Sequence, residues 1–285
     1  MTRTLWPLLA LSLACSDKSG DDTNSSGTTE SDADADSDAD ADSDADADSD
    51  ADADTDPEFT AQLSGKVGNE DGLPKESVQM RLCQEACRTV WPEEDGTWTF
   101  EELPPGWHAL EAVPLASTET DSTVLAPVYI EDGQQRALDG TIKLYAFADK
   151  VNLSGEKDIT LESGLTVHTI AASFTPGATS ATPDPYLAGV RVDPGESALP
   201  FDGITGTVLA MWYLGNYDGH ISPAWAFTLS DTLGLTEGQS VEVYAANYEE
   251  ATWTPAGTAT VNGGVLVSSE GGGIPLLTTL IFVAP

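Results

Sequence analysis

The chain has 285 residues, with only eleven Lys plus Arg against forty-eight Asp plus Glu, a net charge of −37. That balance excludes nucleic acid as a partner, because holding phosphates needs a basic surface. It also repels anionic headgroups, so attachment to a membrane has to come from a lipid or an apolar segment.

Residues 1–14, MTRTLWPLLALSLA, read as a targeting segment: Arg3 supplies a short positive region and an apolar run starts at Leu5. The run is well short of the roughly 20 residues needed to span a bilayer, so the segment is an export signal rather than an anchor. It ends in Leu11-Ser12-Leu13-Ala14-Cys15. These residues resemble the lipobox of bacterial lipoproteins, although Ser12 stands where that family prefers Leu. The resemblance implies that Cys15 is diacylated and becomes the mature N-terminus. By the same resemblance, Ser16 after the cysteine implies sorting to the outer membrane.

Residues 15–56 follow as an acidic linker, with seventeen acidic residues and one basic, a net of −16. From Ser31 the hexapeptide Ser-Asp-Ala-Asp-Ala-Asp occurs four times, ending at Asp54. Like charges and small side chains give nothing to bury against the entropy of ordering, so this stretch is predicted to be disordered and extended by self-repulsion. Its reach is about 35 Å as a coil and about 140 Å fully stretched. Asp-x-Asp-x-Asp offers oxygen ligands, but the turn glycine and bidentate glutamate of an EF-hand are absent. Weak, non-specific calcium association is the expectation, not a built site.

After Pro57 the pattern turns to short alternating runs. Residues 57–285 hold thirty-one acidic and nine basic residues, a net of −22, so the folded body is acidic as well as the linker. Ala61, Leu63 and Val67 alternate with polar neighbours, and so do Val78, Met80 and Leu82. Trp98 and Phe100 share one face after the turn Glu94-Asp95-Gly96. Period-two alternation broken by Gly and Asp turns predicts strands with one buried face.

This order of features resembles the carboxypeptidase regulatory-like family, a transthyretin-like β-sandwich. The residues that carry the likeness are Ser64-Gly65-Lys66-Val67 with Asp71-Gly72-Leu73-Pro74, then Val78 to Leu82, Asp95 to Phe100, and Leu103-Pro104-Pro105-Gly106. The resemblance covers roughly 59–113, with strands near 124–130 and 141–147 completing the unit. It implies a non-catalytic module used as a spacer, a stability unit or a binding unit. Cys83 and Cys87 sit at the end of one strand and the start of the next. In an exported protein the expectation is a disulfide pinning that turn.

The second half is richer in Thr, Gly and apolar residues. Val208 to Tyr213 is apolar on both faces, which suits a central strand covered on both sides. Runs at 241–245, 251–254, 264–267 and 276–283 follow at the short, regular spacing of a sandwich. Their order resembles the closing strands of bacterial surface β-sandwich modules. Residues 176–200, with five prolines, read as a long excursion between strands.

For catalysis the strongest pattern is His108-Ala109-Leu110-Glu111 with His220 downstream, the order in which zinc carboxypeptidases hold their metal. In a strand, an offset of three puts His108 and Glu111 on opposite faces. A catalytic zinc needs three convergent ligands, so the expectation is a half-buried His108 and a surface Glu111. His108, His168 and His220 accompany no nucleophile signature, and Gly271-Gly272-Gly273 precedes an apolar strand rather than a phosphate-binding helix. Trp212, Tyr213, Tyr217 and Trp225 are the candidate ligand-binding residues, able to stack on a sugar or peptide with Asn216 and Asp218 nearby. The competing reading makes Trp212 and Trp225 core residues and Tyr217 part of a turn.

The predicted fold is all-β: two β-sandwich domains in tandem, 57–148 and 149–285, behind a signal peptide and a disordered linker. The predicted function is non-enzymatic, a cell-envelope lipoprotein presenting these modules as a structural or binding surface. The alternatives are a carbohydrate- or peptide-binding module and an accessory subunit of a surface complex. No cofactor or metal is expected. The expected partners are a membrane, through the lipid, and a glycan or surface protein. The expected place is the outer membrane, facing the periplasm or the cell surface.

Overall fold

Alternation along the chain becomes strands throughout. A computed structural model describes residues 59–285 except 119 and 178–183. The signal segment, Cys15 and the acidic linker expected from the sequence lie outside the described residues. The described residues form one compact unit.

Seven strands come from the first part: β1 (Ala61–Asn69), β2 (Val78–Cys83), β3 (Cys87–Val90), β4 (Thr97–Leu103), β5 (Gly106–Pro114), β6 (Val124–Ile130) and β7 (Gln135–Leu144). They form a three-stranded sheet, β4-β1-β7, and a four-stranded sheet, β3-β2-β5-β6. Leu63, Trp98, Phe100 and Ile142 of the first sheet and Met80, Leu82 and Leu110 of the second share a buried core. Each large apolar side chain removed from water there contributes about 1.5–3 kcal/mol.

Thirteen strands follow: β8 (Lys150–Asn152), β9 (Glu156–Thr160), β10 (Leu165–Ile170), β11 (Phe174–Thr175), β12 (Tyr186–Val192), β13 (Thr207–Gly215), β14 (Gly219–Trp225), β15 (Phe227–Leu229), β16 (Ser240–Asn247), β17 (Thr252–Asn262), β18 (Val265–Ser268), β19 (Ile274–Leu277) and β20 (Thr279–Ala284). Ten of them make one sheet in the order β8-β12-β13-β20-β16-β17-β18-β15-β10-β9, and β11-β14-β19 make a small second one. A sheet that wide curls rather than staying open. Leu187 and Trp212 from one end and Leu165, Val167 and Leu229 from the other accordingly meet in a single core. Where the ends approach, a Cβ on Gly189 would lie 2.7 Å from Leu161 Cδ1, so a larger residue there would push that side chain aside.

The two parts are layered. Met211, Tyr213, Ile281 and Val283 point out of the second core and into the first. The β2-β5-β6 sheet is therefore a middle layer, with the β1-β4-β7 sheet on one face and the ten-stranded sheet on the other. Burial along β5 and β6 is nearly continuous, not alternating, as two-sided cover requires. The chain is an all-β assembly of stacked sheets, a β-sandwich architecture.

Candidate functional site

One cleft combines aromatic walls with fixed polar groups. The antiparallel β5–β6 ladder sets Trp107 directly opposite Tyr129. Residues paired across a ladder share a face, so both rings emerge on the side of the middle sheet that meets the ten-stranded sheet. The rings lie 5.3 Å apart in an edge-to-face arrangement. Trp107 is half-buried and Tyr129 is 42% exposed, unusually open for a large side chain. Glu131 and Gln134 from the β6–β7 turn, Arg136 of β7, and Asp202 and Gly203 from the loop before β13 complete a cavity of about 550 Å³. That volume falls within the range of small-molecule sites. Gly203 has φ +79°, and a Cβ there would stand 3.0 Å from Trp107 Cη2. Its lack of a side chain lets the loop lie against the indole.

The polar groups hold each other in place. Arg136 Nη2 donates to Asp202 Oδ1 at 3.0 Å, and Nη1 donates to Asp202 Oδ2 and to the Tyr129 carbonyl. Asp202 Oδ2 also accepts the Tyr129 backbone N–H at 2.8 Å. A bidentate Arg–carboxylate pair is among the more rigid side-chain contacts, and here it fixes the backbone that carries the exposed ring. The Glu131 backbone N–H donates to Gln134 Oε1 at 3.0 Å. Chemically the site offers ring faces for an apolar surface, with amide and carboxylate groups at the rim.

The residues singled out from the sequence are not brought to one surface. Trp212 and Tyr213 are neighbours on β13, so alternation sends them into different cores. Trp225 is buried with Trp212 in the second core, where its Nε1 donates to Ser173 Oγ at 2.8 Å. Tyr217, half-buried on the β13–β14 turn, bonds to Glu111 instead of facing solvent. The exposed recognition platform proposed for these four is replaced by core and joint positions.

Glu111 needs the larger correction. It is 1% exposed rather than a surface carboxylate, because the ten-stranded sheet covers the face on which alternation places it. The Tyr217 hydroxyl donates to its Oε1, Arg81 is its partner across the β2–β5 ladder, and Asp218 and Tyr248 stand near. Burial pushes the Glu111 carboxyl above its ordinary range, and Asp218 adds to this, while the Tyr217 hydrogen bond and Arg81 act against it. Burial, followed by the charge of Glu111, pushes the Tyr217 hydroxyl well up. Beside this pair, Cys83 and Cys87 are joined in a disulfide, and the Tyr248 hydroxyl lies 3.0 Å from Cys87 Sγ.

His108 is buried on the opposite face, its Nε2 2.9 Å from the Pro104 carbonyl, and burial lowers its pKa. His220 lies 3.7 Å from Asp218. His168, half-buried on β10, lies between Asp158 at 2.8 Å and Glu156 at 3.0 Å, which hold its pKa above the usual value. Among the described residues no three His, Cys, Asp or Glu side chains converge as a metal site.

Sequence reasoning passed over the cleft. Its residues come from three separate segments, and only an aromatic pair falling directly opposite on adjacent strands could have hinted at it. No family model matches the chain, and no curated protein does. Among solved structures the chain is similar to a candidate carbohydrate-binding protein of Bacteroides uniformis, at 7% identity over 79% of each chain with a TM-score of 0.25. A likeness that slight carries no argument about function.

Proposed function

We propose that the chain is a non-enzymatic outer-membrane lipoprotein, tethered through Cys15, whose β-sandwich body binds carbohydrate in the Trp107–Tyr129 cleft. The observation behind the binding reading is the pairing of an exposed tyrosine and a half-buried tryptophan over a cavity rimmed by Glu131, Gln134, Arg136 and Asp202. Sugar rings present apolar C–H faces and a girdle of hydroxyls, and aromatic planes with fixed hydrogen-bonding groups match both. The tether reading rests on the lipobox-like residues before Cys15 and the acidic stretch after it. On the same reading, residues 57–148 act as a carboxypeptidase regulatory-like module, with the cleft at its margin.

A glycan array probed with the full chain and with Trp107→Ala tests the binding. Retention of defined glycans by the wild type and their loss in a folded Trp107→Ala protein is the expected result. Binding to no glycan, or equal binding by both proteins, overturns the reading; capture of peptides alone would replace it with a peptide-binding one. The tether is tested by palmitate labelling in cells, which Cys15→Ser should abolish.

A further inference from the structure

The charges around the cleft are unevenly committed. Arg136 is the only cation among the described residues that line it, and its guanidinium is already held on both Asp202 oxygens and the Tyr129 carbonyl. An incoming anion would therefore find no uncommitted positive charge. The Glu131 carboxylate, by contrast, has no hydrogen-bond or ion-pair partner among the described residues. It stands in a cleft walled by Trp107 and Tyr129, whose ring faces attract cations. The surrounding body, residues 57–285, carries a net charge of −22, so its field favours the same sign of ligand.

Resting on the reading that this cleft binds carbohydrate, we infer that it selects protonated amino sugars over neutral ones and rejects uronic acids. An ammonium group on the sugar ring can pair with Glu131 while the ring lies against the aromatic wall. A uronate would instead set a second carboxylate beside Glu131 and Asp202. One such pair in a half-exposed site changes affinity by about tenfold.

The test uses the full chain and three disaccharides of one linkage: a glucosamine disaccharide, its N,N′-diacetyl form, and one bearing glucuronic acid. Binding is followed by calorimetry and by tryptophan fluorescence at mildly acidic pH, where the amine keeps its proton. The amine form should bind about tenfold tighter than the acetylated form, with the uronate weaker still. Glu131→Gln should bring the amine form to the level of the acetylated form, both measured on that variant. This variant separates the cleft from a general attraction of cations to an acidic chain, because it changes the net charge of −37 by one. Equal or tighter uronate binding, or an amine preference that survives Glu131→Gln, overturns the inference. If the acetylated form binds as tightly as the amine, the inference falls and carbohydrate binding stands. If none of the three binds and the glycan array is also blank, the proposed function falls with it.

Discussion

The Asp202 carboxylate accepts the backbone N–H of Tyr129 at 2.8 Å, across seventy-three residues of chain. This contact closes one of three donor positions on the outer edge of β6. Leu125 N–H, four residues earlier, donates to Thr279 Oγ1 at 3.2 Å, and between them Pro127 has no N–H at all. Arg136 occupies the Tyr129 carbonyl. An edge strand left open is a template for pairing with other chains, and here each outward donor is blocked or absent.

Replacing Asp202 by Ala should therefore act on stability and association together. The Tyr129 N–H loses its acceptor and Arg136 loses its counter-charge, with an expected cost of about 1–3 kcal/mol. Urea denaturation measures the loss, and light scattering should show more self-association than in the wild type. Asp202→Asn, which keeps an acceptor oxygen, should cost less.

Gly203→Ala places a methyl group at a φ of +79° and 3.0 Å from Trp107 Cη2. The backbone penalty alone is about 1–2 kcal/mol. The indole must also shift, so on the proposed reading glycan affinity should fall by more than the stability change explains. Tryptophan fluorescence of the free protein, compared with the wild type, would register the displaced ring.

The Glu111 carboxyl is held above its ordinary range chiefly by burial, so the folded protein binds its proton more tightly than the unfolded chain does. Its contribution is therefore fully present below the ordinary carboxylate pKa and is lost as pH rises through the folded value. Glu111→Gln keeps an acceptor for the Tyr217 hydroxyl and carries no charge. Its melting temperature relative to wild type should climb from acidic to neutral pH. A difference that stays flat or falls over that range would contradict the burial argument.

The disulfide joins Cys83 and Cys87 across three intervening residues. Loop-closure entropy for so short a loop gives about 2 kcal/mol. The Cys83→Ser, Cys87→Ser double variant should lose that much in denaturant unfolding. On the proposed reading, glycan binding should survive, since neither cysteine lines the cleft.

Much of the architecture was legible because strands announce themselves by alternation. Val78, Met80 and Leu82 point into the core as their spacing predicts, and β13 is covered on both faces as its unbroken apolar run requires. Alternation gives the face of a residue but not what lies over that face. Glu111 was therefore placed on the correct side of β5 and still misread as exposed, because its cover arrives from residues 217 and 248. The same gap hid the cleft. Trp107 and Tyr129 are unremarkable in their own strands, and Asp202 joins them only after the chain has passed through six further strands. Conversely, the local cluster of four aromatics between 212 and 225 drew attention by proximity in sequence, although neighbours on a strand face apart.

The middle layer has a consequence for how the chain can be cut. Met211, Tyr213, Ile281 and Val283 rest on the sheet supplied by residues 57–148. Severing the chain near residue 148 would leave a wet apolar face on each fragment. The body should therefore melt in a single calorimetric transition and be lost or kept whole. A nick between the sheets would leave two fragments, neither able to cover its own interior.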